Sequence, residues 1–287
     1  MKKLGKKRLL LVLFGILLAG LLGWALWENK ALEVSSYSVS SADLPESFSG
    51  FRIAQVSDLH NTEFGEGNEK LLKLLREAKP DIIVITGDLV DSYHTDVEVS
   101  VRFARKAMEI APCYYVTGNH EARIAGFDRL KEGLEAAGVT VLENEKITLE
   151  REGERITLMG VDDPSFLTDY LTGDSEAVMQ AALESLVEET DGYTVLLSHR
   201  PELFETYVDS GVDLVFSGHA HGGQFRLPLV GGLASPNQGL FPKYDSGLYT
   251  QGSTHMLVSR GLGNSIIPLR FNNRPEVIVA ELLCSQP

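Results

Sequence analysis

Five apolar runs in this chain each stop at a short polar turn carrying Asp, Asn or His, and no other feature of the sequence limits its fold so strongly. The clearest is Asp81–Asp91, where the unbroken run Ile82–Ile85 ends in Thr86-Gly87-Asp88. Such a run, bounded by a turn signal, predicts a strand buried on both faces. Gly87 permits a sharp turn as the strand stops. Asp88 is then delivered at the strand's carboxyl end, where open α/β sheets place their chemistry. The other four runs end in Asp58/His60, Asn119/His120, His199 and His219/His221, and five of the chain's seven histidines fall in these turns. Only His94 and His255 lie elsewhere.

The order of elements fits that reading. Gly50–Ser57 is a first core strand, and Glu66–Ala78 has helical spacing at Leu71, Leu72, Leu74 and Leu75 before Pro80. Val97–Ile110 is a second helix, stopped by Pro112, and Tyr114–Thr117 is a third strand. This β-α-β-α-β order predicts a parallel sheet with right-handed crossovers. Gly126–Ala137, Asp174–Glu188 and Leu203–Asp209 read as helices. Val139–Leu142, Lys146–Glu150, Arg155–Val161, Tyr193–Leu197, Asp213–Phe216, Met256–Ser259 and Glu276–Leu282 read as strands. Arg226–Tyr249, rich in Gly and Pro, is expected to be an ordinary packed surface loop, with cleft lining and bilayer contact as the alternatives.

The amino terminus is of another kind. Residues 1–8 are basic, and Leu9–Trp27 contains no charged residue, a length that spans a bilayer as a helix. Trp24 and Trp27 stand at its far end, where amphipathic rings favour the headgroup level. The basic cluster predicts a cytoplasmic amino terminus and an extracytoplasmic body in a single-pass cell-membrane protein. A cleaved signal peptide is the competing reading, but the run is long for one, and the nearest small-x-small site, Gly23-Trp24-Ala25, is crowded by tryptophans. The expected organisation is a basic tail (1–8), an anchor (9–27), a tether with an edge strand (28–48) and one catalytic domain (49–287).

Charge and cysteines narrow the functions. Net charge is −14, although residues 1–30 hold six of the 26 basic residues and one of the 40 acidic ones. A body that acidic repels polyanions, so nucleic acid is not an expected partner, and no obligate protein partner is visible. Cys113 and Cys284 belong to no Cys-x-x-Cys pair, which leaves no thiol metal site or redox motif. Asp, Asn and His gathered on one rim offer mixed oxygen and nitrogen donors, a set suited to Mn²⁺, Fe or Zn²⁺ better than to Ca²⁺ or Mg²⁺.

The ordered series Asp58-x-His60, Gly87-Asp88, Gly118-Asn119-His120-Glu121, His199 and Gly218-His219-x-His221 resembles the calcineurin-like metallophosphoesterase superfamily. The apolar amino terminus, Gly218–Gln224 and the Pro268–Glu276 stretch are similar to its membrane-associated, YkuE-like subgroup. The resemblance implies a four-layer α/β/β/α sandwich after a transmembrane helix. It also implies a phosphoric ester hydrolase with two divalent metal ions: Asp58, His60 and His221 on the first, Asn119, His199 and His219 on the second, Asp88 bridging both. Attack by a metal-bridging hydroxide would cleave a phosphate ester, a phosphodiester by first expectation. His120 would hold a phosphoryl oxygen or protonate the leaving group, and Glu121 would orient His120 or a ligand. Arg270, with Asn272 and Arg274, is a candidate substrate contact; a plain turn into the last strand is the equal alternative. Two rival functions remain: hydrolysis of a UDP-diacylglucosamine-like nucleotide-sugar pyrophosphate, against which the expected topology argues, and a membrane-tethered protein that binds metal without catalysis.

Overall fold

The computed structural model describes residues 5–168, 173–188, 190–264 and 267–285. Helix α1 (Lys6–Glu28) is apolar on every side, and most of its large side chains are exposed. It is the one helix among the described residues long and apolar enough to cross a membrane.

The body is two six-stranded sheets. The first runs β1 (Glu33–Ser41), β16 (Glu276–Cys284), β2 (Arg52–Val56), β3 (Ile82–Thr86), β4 (Cys113–Val116), β5 (Thr140–Val141) in spatial order. The second runs β14 (Gly247–Gln251), β15 (Thr254–Val258), β9 (Leu214–Ser217), β8 (Thr194–Leu197), β7 (Glu154–Gly160), β6 (Glu145–Arg151). Strands β2, β3 and β4 are parallel, joined by α2 (Glu69–Ala78) and α3 (Val97–Met108), as the alternating pattern predicted. Between β9 and β14, two short ribbons form from β10 (Arg226–Leu227) with β11 (Gly231–Gly232) and β12 (Ala234–Ser235) with β13 (Gly239–Leu240).

Three apolar cores separate four layers. Val39, Ile53, Val84, Val116, Leu158, Val195, Phe216 and Ile278 fill the space between the sheets. Leu71, Leu75, Phe103 and Ala104, with Leu130 and Leu134 of α4 (Phe127–Ala136), cover the outer face of the first sheet. Met179, Leu183 and Leu186 of α5 (Ser175–Val187), with Phe204 and Tyr207 of α6 (Phe204–Asp209), cover the second. Each aliphatic side chain fully removed from water contributes about 1.5–3 kcal/mol, so a strand such as β3, buried at all five positions, must sit centrally.

The edge strand expected within 28–48 is β1, which pairs with β16 in continuous parallel register from Glu33 to Ser41. The long loop after Arg226 gives way to β14, which starts at Gly247, and its apolar residues Leu227, Leu229, Val230, Leu240 and Phe241 are exposed rather than packed. Both cysteines are free thiols.

Candidate metal centre

The two sheets meet along the rim formed by the carboxyl ends of their parallel strands. Gln55 of β2 crosses between them, donating through Nε2 to Thr86 Oγ1 and to the carbonyl of Ser217, each at 2.8 Å. Beyond that rim the backbone turns abruptly. Asp58, His60, Asp88, His219 and His221 all adopt left-handed conformations, with φ between 47° and 63°. Non-glycine residues held there cost about 1–3 kcal/mol each and persist only where the surroundings enforce them, as happens at functional sites.

Neighbouring glycines make the close approach possible. A Cβ on Gly118 would lie 2.5 Å from the Asp88 amide nitrogen, and one on Gly218 would lie 2.5 Å from Asp58 Oδ2 and collide with the Ser57 hydroxyl. Asp58 and Asp88 are thus pressed against backbone from other strands. Asp58 Oδ2 accepts from Ser57 Oγ at 2.6 Å, and its carboxylate accepts the His219 amide at 3.1 and 3.2 Å. Asp88 Oδ1 accepts the His120 amide at 2.8 Å.

Six of the seven expected ligands come together at this rim. Asp58, His60, Asp88 and His221 offer donor atoms all within 4.8 Å of one another, and so do Asp88, His199 and His219. Asp88 belongs to both groups. Asn119 lies between Gly118 and His120, both of which touch Asp88. All seven are almost fully buried.

The donor atoms fit cations. His60 Nε2 and His221 Nε2 face each other at 3.2 Å, with Asp58 Oδ1 3.3 Å from the latter and Asp88 Oδ2 3.6 Å from the former. His199 gives its Nδ1–H to the Thr86 carbonyl at 2.7 Å, which turns Nε2 inward, 3.3 Å from Asp88 Oδ2. Asn119 Oδ1 has no hydrogen-bond partner, although it is buried, and His199 Nε2 meets Asp88 Oδ2. Buried polar atoms without partners are rare and ask for an ion or water. Burial lowers His60 to about 4 and drives His219 and His221 well below the ordinary imidazole value, leaving three neutral rings with lone pairs to give. His199 differs: burial lowers it, but Asp88 and Asp58 outweigh burial and raise it to about 10. Burial would raise Asp88, yet His199, His120 and His60 hold it well below the usual carboxylate range, while burial lifts Asp58 to about 6.

His120 stands beside these groups without belonging to either cluster. Its Nδ1 accepts the Ser92 amide at 2.9 Å, which fixes the proton on Nε2, 4.0 Å from Asp88 Oδ2. The expected role of Glu121 is sharpened: its carboxylate takes the backbone N–H groups of Asp88, Leu89, Val90 and Gly118. It therefore holds the Asp88 turn rather than the His120 ring.

Arg270 is not placed to meet a substrate. It is fully buried, with Nε on Asn264 Oδ1 at 3.0 Å and the other guanidinium nitrogens on the carbonyls of Arg260 (2.7 Å) and Gly263 (2.5 Å). Burying a guanidinium without such acceptors would be prohibitive, and here they fix the 260–264 turn. Arg274 likewise donates to the carbonyls of Ala31 and Leu32.

The sequence reading missed Arg200. It is buried beside His199 and clasps Asp163 through Nε at 2.5 Å and Nη2 at 2.8 Å. Its Nη1 lies 3.0 Å from Asn237 Oδ1 and 3.4 Å from His219 Nε2, and Asn237 Oδ1 is 2.9 Å from the same His219 nitrogen. A hydrogen bond on the outward nitrogen fixes the tautomer and orientation of a ligand histidine. The only local signals were a charged residue directly after His199 and an acidic residue before Pro164.

Residues 51–223 match the family model for calcineurin-like phosphoesterases. The chain belongs to that family. The metallophosphoesterase YkuE of Bacillus subtilis (strain 168) is 33% identical to it, covering 98% of this chain and 99% of that protein. The phosphodiesterase YaeI of Escherichia coli (strain K12) is 32% identical over 81% of this chain and 82% of its own. These relatives support the YkuE-like grouping. The protein TT1561 of Thermus thermophilus shares the fold, with a TM-score of 0.51 at 16% identity, covering 74% of this chain and 90% of that one. This calcineurin-like phosphoesterase thus carries Asp/His clusters that could hold a dinuclear metal centre on the four-layer sandwich of its family.

Proposed function

We propose that this protein is a membrane-anchored phosphodiesterase with a dinuclear centre. The observation that carries the reading is the pair of donor clusters sharing Asp88, with Asn119 Oδ1 buried and unpartnered in the adjoining turn. Asp58, His60 and His221 would hold one divalent ion, Asn119, His199 and His219 the other, and Asp88 both. When bound, such a pair supplies Lewis-acid stabilisation of phosphoryl oxygens and an attacking water of lowered pKa.

The chain's own groups do the remainder. His120, neutral because burial lowers it, presents Nε2–H as a hydrogen-bond donor to a phosphoryl oxygen. The Ser92 amide keeps that proton on the correct nitrogen. Glu121 clamps the Asp88 and Gly118 turns, so the shared carboxylate and His120 hold a fixed relation. The name of YaeI, a phosphodiesterase, supports diester over monoester substrates. The helix α1 would cross the membrane with its basic end cytoplasmic, leaving the body outside.

The direct test is turnover of bis-p-nitrophenyl phosphate and of p-nitrophenyl phosphate by the full chain in detergent with Mn²⁺. The diester is expected to react faster. Turnover of neither at full metal occupancy would sink the hydrolase reading and leave a metal-binding protein.

A further inference from the structure

The described end of α1 is part of the body. Glu28 is buried and accepts the Asn272 amide through Oε2 at 2.6 Å. Asn29 donates to the Pro268 carbonyl at 2.8 Å and accepts the Arg270 amide at 2.9 Å, while the Arg274 guanidinium lies 5.6 Å from the centre of the Trp27 ring. The same segment reaches the metal centre, because Asn273 Nδ2 donates to the carbonyl of His221 at 2.7 Å and to that of Gln224 at 3.1 Å. Adjacent residues therefore bind the helix and a ligand turn. With consecutive Cα atoms about 3.8 Å apart, the helix end and His221 are separated by only on the order of 10 Å.

The β10–β11 hairpin is tied to this junction. The Arg226 amide donates to the Phe271 carbonyl at 2.9 Å, next to the residue that binds Glu28. The tip, Leu227-Pro228-Leu229-Val230, contains no charge and is exposed throughout, Leu229 completely so. Leu229 also sits at φ 69°, and the exposed Phe241 of the neighbouring β12–β13 ribbon precedes Pro242 at φ 55°. Gly or Asn occupies such left-handed turn positions with little strain, and a bulky side chain does not. Large apolar side chains retained in strained backbone, facing away from the body, imply an apolar surface for them to enter.

We infer that the Leu227–Val230 tip, together with the exposed Phe241, inserts into the headgroup layer of the bilayer that α1 enters, so that the metal centre works at the lipid surface. The bilayer is the occupant because α1 delivers it there: Trp24 and Trp27, both exposed, mark the level at which the helix leaves the apolar layer, and Asn272 links that level to the hairpin. A cleft-lining role would turn these side chains toward the ligands, whereas they are exposed to solvent.

The inference rests on the membrane reading of α1, and its test separates the two. Full-length protein with Cys284→Ser, Cys113 being buried, receives one cysteine at Val230, at Leu18 within α1 or at Glu152 in the β6–β7 turn, which lies at the opposite rim from the ligands. Each is labelled with an environment-sensitive fluorophore and reconstituted into phosphatidylcholine–phosphatidylglycerol vesicles containing nitroxide lipids. Quenching at 230 by shallow nitroxides is expected to exceed that at 152 several-fold, with a blue-shifted emission. Strong quenching at 18 with 230 behaving like 152 would overturn the seating alone. No quenching at 18 would overturn the anchor and the seating with it. Because turnover is not read, the result is independent of the phosphodiesterase assignment.

Discussion

On the Asp58–His60–His221 side of the centre, carboxylate and imidazoles approach each other directly and are supported by hydroxyl and backbone groups. On the Asn119–His199–His219 side, the chain contributes one neutral amide and two imidazoles, and a buried guanidinium, Arg200, stands 3.4 Å from His219. The first side is a compact negative pocket. The second depends on an ion pair brought from 37 positions away in sequence. Two sites sharing one carboxylate are therefore unequal, and the second ion should be the more easily lost.

Replacing the shared group removes the contrast altogether. Asp88→Ala should abolish turnover and weaken both ions by more than the roughly 10–100-fold typical of outer-shell partners. Elemental analysis after gel filtration would read this, and retention of either ion would break the shared-carboxylate assignment. His120→Ala should lower turnover by about 10²–10⁴-fold while both ions remain bound. Metal loss in that variant would make His120 a ligand.

Arg200→Met tests the second side's dependence on its ion pair. Leaving Asp163 buried without its cation should destabilise the protein by about 3–5 kcal/mol, read as a lower melting temperature, and adding Asp163→Leu should recover much of it. A single variant as stable as the parent would show that the pair does not support that side.

The smallest effect is in pH. Without metal, His199 holds a proton up to about 10, and ligation must release it, whereas Asp58 loses its proton at about 6. Affinity on the Asn119 side should then rise about tenfold per pH unit between roughly 7 and 9, and affinity on the Asp58 side should be nearly flat there. Titration calorimetry in buffers of different ionisation enthalpy would show about one proton released for the second ion. Equal pH slopes would remove the proposed asymmetry.

Much of this was legible in one dimension. Unbroken apolar runs such as Ile82–Ile85 announce central strands, and Pro80 and Pro112 mark the crossovers between them. The candidate ligands could be read because each follows its strand closely, so its place on the rim is fixed by chain connectivity. What failed depends on long-range pairing. Arg270 has the residue type of a phosphate contact, but its partners are carbonyls of the 260–263 turn, and carbonyls have no sequence signature. Arg200 pairs with Asp163 across the whole β7–α5–β8 connection, and nothing local distinguishes that aspartate from a turn residue. β1, by contrast, was legible as an edge strand from the alternation around Tyr37, although its partner β16 lies at the far end of the chain.

Only residues 29–32 separate α1 from β1, and three of those four are fastened to the 268–274 segment by hydrogen bonds. With α1 seated in a bilayer as proposed, so short and fastened a link would leave no slack: the metal-binding rim would keep a constant altitude above the lipid, and substrates would have to reach it by lateral diffusion.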